Sequence, residues 1–153
     1  PMPAANVKSI VFSPPYATAL NSSETGLMKR EKGRFAASQQ YKQDVRNLGN
    51  LNNFVYNQEM EKIYKLCLET LIPGGILSLI IKDRIRSGVR EELGLRAMQM
   101  MGRVGFEYAG WFRWRPPGTL FTQIHRSHGT KVIDDEHLIL MRRPYDSISP
   151  RKS

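Results

Sequence analysis

Ser9-Ile10-Val11-Phe12-Ser13-Pro14-Pro15-Tyr16 is an apolar run that stops at two consecutive prolines. Ile10, Val11 and Phe12 read as the end of a strand over 7–12 that is buried on both faces, and the prolines close it because neither can donate to a ladder. Ser13 and Tyr16 then stand at the strand's carboxyl end, the rim at which open α/β sheets hold their ligands. The Ser13 hydroxyl and the Ser13 or Pro14 carbonyl can accept hydrogen bonds from an exocyclic amine, while Tyr16 offers a flat face to a base taken out of its stack. A proline-capped strand end with no ligand is the other reading these residues leave open.

Downstream the chain alternates helix and strand. Over 57–71, Met60, Ile63, Tyr64, Cys67, Leu68 and Leu71 fall on one helical face and Glu59, Glu61, Lys62, Lys65 and Glu69 on the other, with Asn53 or Asn57 as the cap. Ile72-Pro73-Gly74-Gly75 ends that helix, and 76–81 reads as a second strand buried on both faces that finishes at Lys82-Asp83. Strand, helix and buried strand make a right-handed crossover in a parallel sheet. A further helix is expected over 87–102, with Val89, Leu93, Ala97, Met100 and Met101 on its apolar face. An aromatic strand follows over 106–114, with Phe106, Tyr108, Gly110, Phe112 and Trp114 on one side. Arg115-Pro116-Pro117-Gly118 turns the chain into a loop over 119–130, and a last strand spans 136–141.

In this order, Ser13-Pro14-Pro15-Tyr16, the helix end Leu71-Ile72-Pro73-Gly74-Gly75 and Val104-Gly105-Phe106 before an aromatic strand resemble the AdoMet-dependent amino-methyltransferases that act on DNA. The resemblance covers roughly 7–143 and implies an α/β fold: a Rossmann-like methyltransferase half with a mostly parallel sheet and a C-terminal antiparallel hairpin that sets the last strand beside 76–81. It implies Ser13, Pro14, Pro15 and Tyr16 as catalytic residues, with Ser13 and the Pro14 carbonyl holding the amine and Tyr16 stacking on the base. The implied reaction is methyl transfer from S-adenosylmethionine to an exocyclic amine in DNA, and the serine form of the motif favours cytosine N4 over adenine N6. An RNA amino-methyltransferase and a non-catalytic nucleic-acid-binding module of the same fold are the alternatives. The family's glycine-rich loop, which holds the cofactor, has no counterpart here, since Gly74-Gly75 precedes a strand instead of following one. Residues 1–143 are therefore expected to be the target-base half of a catalytic domain, touching the cofactor through Ser13 and Pro14 at most. The cofactor-binding half would come from elsewhere: a missing segment, a second copy or a partner chain.

Charge agrees with a polyanionic partner. Twenty-three Lys and Arg against 14 Asp and Glu give a formal net charge of +9. Lys29, Arg30, Lys32 and Arg34, in the polar stretch over 17–53, are candidates for phosphate contacts, as are Arg115, His125, Arg126 and Lys131; solvated loop charge is the alternative for both groups. His125 and His128 have ligand-like spacing, but no cysteine or further histidine supports a metal site. The single cysteine, Cys67, excludes an internal disulfide and fits a reducing, cytoplasmic compartment; its place on an apolar helix face suits a structural thiol better than a nucleophile. No run is long and apolar enough for a membrane span, and residues 144–153 read as a basic, flexible tail.

Overall fold

The computed structural model describes residues 6–15, 48, 51–117, 120–129 and 131–145. Tyr16, the cationic stretch with Lys29, Arg30, Lys32 and Arg34, the tail from 146 onward and the His125 side chain lie outside the described residues. In chain order the elements are β1 (Val7–Phe12), α1 (Asn53–Thr70), β2 (Leu71–Ile81), β3 (Arg84–Arg86), β4 (Val89–Glu91), α2 (Leu93–Val104), β5 (Glu107–Trp114), α3 (Leu120–Ser127) and β6 (Glu136–Arg142).

The chain divides into a unit of residues 14–63 and a unit formed by 1–13 with 64–153. The described part of the first is chiefly the start of α1. Asn52, not Asn53 or Asn57, caps that helix: its Oδ1 accepts from the Val55 N–H at 3.0 Å and its carbonyl from the Tyr56 N–H at 2.9 Å.

The second unit is built on a four-stranded sheet in the order β1-β2-β6-β5. β1 and β2 are parallel, and β6 is antiparallel to both its neighbours, so β1, β2 and β5 run one way and β6 alone is reversed. The last two strands thus form the expected antiparallel hairpin, and it places β6 beside β2. Leu77, Leu79, Ile81, Ile139 and Met141 line one buried face of the sheet, joined by Ala97, Met100 and Met101 of α2. Burying each of the larger side chains contributes about 1.5–3 kcal/mol. The Tyr64 ring meets Phe12 on the same side, with ring centroids 6.3 Å apart.

The opposite face departs from expectation. Neither β1 nor β2 is buried on both sides: Val11 is 63% exposed and Ile80 also faces solvent, as do Phe112 and Trp114 on β5, because no described helix covers that face. Ile72-Pro73-Gly74-Gly75 also behaves differently from a turn. It lies inside β2, where the register jumps from Leu71 opposite Val7 to Ile76 opposite Ser9 on β1. Pro73 has no N–H to donate and Gly74 sits at φ 78 with the Tyr145 ring packed where a side chain would go, so the strand bulges and continues. Arg143 then closes the end of α1, donating through Nη1 to the carbonyls of Leu68, Glu69 and Leu71.

Two further corrections concern element type. Residues 84–91, partly assigned above to a helix, form the antiparallel hairpin β3–β4; Ser87 and Gly88 both have positive φ, at 50 and 76, as a tight two-residue turn requires. The helix starts only at Leu93 and ends at Gly105 in a left-handed conformation, whose N–H bonds back to Met101 and Gly102. The expected loop over 119–130 contains α3.

Candidate active site

Parallel pairing of β1 with β2 ends at Phe12 and Leu79, and β2 runs on to Ile81 beside β6 toward the same rim. Ser13 follows β1 there, exposed, with Pro14 buried and Pro15 exposed after it. No hydrogen-bond partner meets the Ser13 side chain among the described residues. Because β6 is reversed, its first residues, Glu136 and His137, reach this same rim, as do Arg113 and Trp114 at the end of β5.

Beside Ser13's strand the rim carries a polar cluster that sequence reading passed over. Asp83, just beyond β2, is buried and is bonded from three directions. Its Oδ1 accepts from the Gly94 N–H at 3.1 Å, which makes it a remote cap for α2. Its Oδ2 accepts from Arg90 Nε at 2.8 Å and lies 3.2 Å from His137 Nε2. Burial alone would raise the Asp83 carboxyl, but the Gly94 N–H, Arg90 and His137 outweigh it and hold the group below the ordinary carboxylate range; the same bond to Asp83 raises Arg90 above its ordinary value.

His137 is 2% exposed and is oriented by both ring nitrogens. Trp111 Nε1 lies 3.1 Å from His137 Nδ1, and an indole N–H can only donate, so Nδ1 is the acceptor and the proton sits on Nε2, facing Asp83. The two rings meet edge to face at 5.2 Å. Trp111 reaches His137 because β5 carries an extra residue between Tyr108 and Gly110. This bulge overturns the single-faced aromatic strand: Tyr108, Trp111 and Arg113 share the α2 side, and Gly110, Phe112 and Trp114 the open side.

Next to the cluster, Asp134 and Asp135 precede β6. Asp135 is buried and holds Arg90 Nη2 at 3.3 Å and Arg113 Nε at 3.0 Å. Asp134 holds Arg115 Nε at 3.5 Å and also Arg126. Desolvation raises the Asp134 carboxyl, but Arg115 and Arg126 together lower it by more, and the result is a downward shift. Lys131 Nζ donates to the Gly88 carbonyl at 3.2 Å and so fastens the β3–β4 turn. Of the candidate phosphate contacts, Arg115, Arg126 and Lys131 are therefore brought to one side of the rim. Arg90, Arg113 and the aspartates that position them were missed. Asp83 and His137 are 54 residues apart, and the one local signal was Asp134-Asp135 beside an inward-facing histidine.

Elsewhere, an apolar hollow of about 440 Å³ lies against α2 and β5, lined by Met98, Gly102, Phe106, Tyr108, Trp111 and Met141. It is toward the sheet edge opposite β1 and lacks the convergent polar groups that orient a base. Cys67 is half-buried and its thiol is pushed up by desolvation, which disfavours the thiolate that a nucleophile needs. No described helix is long and apolar enough to cross a membrane.

The described residues fit a cofactor only in part. Ser13 lies at the carboxyl rim just past β1, but Gly74-Gly75 cannot cradle a nucleotide, since Tyr145 fills the space above Gly74 and Gly75 is crowded by the Ile72 and Lys8 carbonyls.

This mixed α/β sheet, three strands parallel and one reversed, is an α/β fold that solved structures share. One is a protein from Thermus thermophilus assigned as a DNA modification methylase, matched over 99% of this chain and 52% of its own, with 16% identity and a TM-score of 0.57. The same protein complexed with S-adenosyl-L-methionine matches with 18% identity and a TM-score of 0.55, over 99% of this chain and 51% of its own. The cytosine-N4-specific PvuII DNA methyltransferase matches over 94% of this chain and 45% of its own, with 20% identity and a TM-score of 0.58. The chain thus spans about half the length of the structures it matches. No protein-family model and no curated protein sequence matches it.

Proposed function

We propose that the chain is the target-base half of an AdoMet-dependent DNA amino-methyltransferase that acts on cytosine N4 in preference to adenine N6. The observation that carries this reading is the exposed Ser13 at the carboxyl rim, without a side-chain partner among the described residues and held by a Pro-Pro step that fixes the backbone on which its oxygens sit. The likeness of fold to DNA methyltransferases, one of them cytosine-N4-specific, supports it, and so does the net charge of +9.

When bound, S-adenosylmethionine supplies an electrophilic methyl group on a sulfonium. The work of this chain is to present the nucleophile. The Ser13 hydroxyl and the Pro14 carbonyl accept the two N–H bonds of the amine, which aims its lone pair out of the base plane and toward the crevice. A neutral serine is a weaker acceptor than a carboxylate, so alignment matters more here than charge. Tyr16 stacks on the flipped base, and the proton released on alkylation leaves to solvent at the open rim. The complete cradle for the cofactor belongs to a partner half, and the phosphate contacts include Arg115, Arg126 and Lys131.

The test is transfer of labelled methyl groups onto mixed-sequence duplex DNA by the complete product of the gene, followed by digestion to nucleosides. Label is expected in N4-methylcytosine, with Ser13→Ala reducing transfer by about 10²-fold or more, the scale of losing a positioned transition-state contact. Label confined to N6-methyladenine would replace the target base, and label on RNA but not on DNA would overturn the reading.

A further inference from the structure

Asp134 and Asp135 stand where four segments meet, and they hold one arginine from each: Arg90 of β4, Arg113 of β5, Arg115 just past β5 and Arg126 of α3. Arg90 is shared with Asp83, so three carboxylates face four guanidinium groups and one positive charge is left over; the anchoring decides where it points. The Asp135 side chain is only 3% exposed, so Arg113 is tied to the protein at its Nε while the rest of a side chain that is 61% exposed faces outward. Arg115 repeats the arrangement on Asp134 with a side chain 69% exposed. Bonding through Nε leaves both terminal nitrogens of each guanidinium for another acceptor, and among the described residues no other partner takes them. Lys131 beside the β3–β4 turn, and Arg86, which keeps a loose pair with Glu91 at 3.8 Å, carry the line of cations further along the rim, so the charge is spread out instead of converging on one small anion.

We infer that Asp134 and Asp135 organise a comb of arginines, with Arg113 and Arg115 as its free teeth, that grips the sugar-phosphate backbone of the DNA whose base Ser13 addresses. The inference rests on the DNA-methyltransferase reading and adds to it the surface that holds the strand. Arginine suits the task because paired N–H donors match phosphate oxygens, and preoriented side chains lose little freedom on binding. Such contacts position the duplex without reading its sequence.

The experiment measures binding of the full chain to a fluorescent duplex of mixed sequence across a range of salt concentrations. For wild type, log K should fall linearly with log salt, and Arg113→Gln with Arg115→Gln should flatten the slope by about 0.9 for each phosphate that is no longer neutralised. Asp134→Asn makes the sharper comparison. It raises the net charge, which by simple attraction tightens binding; a comb that loses its anchor instead binds about two- to fivefold more weakly, the worth of one exposed ion pair. Thermal melting monitors the fold of each variant, and the exposed single change Arg115→Gln serves if the double variant is unstable. Tighter binding by Asp134→Asn, or an unchanged slope in the arginine variants while wild type binds DNA, ends the comb and leaves the methyltransferase reading standing. Failure of wild type to bind duplex DNA even at low salt overturns both.

Discussion

Asp83 joins the end of β2, the start of α2, the β3–β4 hairpin and the first residue pair of β6 through a single carboxylate. Replacing it with asparagine removes the charge opposite Arg90 and should cost about 2–4 kcal/mol at neutral pH, the range for breaking a mostly buried, hydrogen-bonded pair. The pH dependence has a definite sign. The folded carboxyl titrates below its unfolded value of about 3.9, so as pH falls the unfolded chain takes up the proton first. Asp83's contribution is therefore complete at neutral pH and is lost as pH drops below about 4 toward the folded value. Urea unfolding of wild type and Asp83→Asn at pH 7, 5 and 3 should show a gap that persists at pH 5 and narrows at pH 3; a gap of constant size would mean that shape, not charge, gives Asp83 its role. Ser13-Pro14-Pro15 stands out in the sequence because its residues are consecutive. Asp83, Trp111 and His137 acquire their chemistry from one another across the fold, and no local pattern announces such a set.

Elements whose apolar periodicity is long were legible, and short ones were not. β1, β5 and β6 lie close to their expected spans, β2 and α2 match only in their later parts, and β6 takes the place beside β2 that the resemblance implied. The β3–β4 hairpin was hidden because Arg84-Ile85-Arg86 and Val89-Arg90-Glu91 are too short for alternation to stand out; only Ser87-Gly88 marked the turn. α3 was hidden because its eight residues make little more than two turns, too few for a helical period to stand out. The Tyr108/Gly110 bulge was invisible because strict alternation is the default reading of an extended segment. Within α2, two glycines should respond oppositely to alanine. A Cβ on Gly94 would lie 3.0 Å from the His137 ring and 3.3 Å from Trp111, which their mutual hydrogen bond keeps from yielding, so Gly94→Ala should destabilise by about 1–3 kcal/mol. Gly102 has nothing within 4 Å, so Gly102→Ala should stabilise by about 0.5–1 kcal/mol through helix propensity alone. Chemical denaturation of the two variants checks the pair, and a shift of the same sign in both would contradict the packing described for α2.

At the scale of the whole molecule, the described residues cover one face of the sheet, and stability should follow that face. Leu79 is fully buried there, and Leu79→Ala should cost about 2–5 kcal/mol. Phe112, though aromatic and in the same sheet, lies on the open face at 58% exposure, and Phe112→Ser should change stability by no more than about 0.5–1 kcal/mol. Denaturation midpoints decide this, and equal losses would mean that the second face is covered after all. The position of β6 between β2 and β5 has one more consequence. During synthesis at the ribosome, β2 and β5 are both made before the strand that bonds to them, and Asp83 emerges without the histidine it will meet. Until Arg142 clears the exit tunnel the sheet has a gap in its middle. Folding of this unit thus has to wait for its last strand, and the nascent chain, with two bare strand edges, is the stage at which a chaperone would be needed.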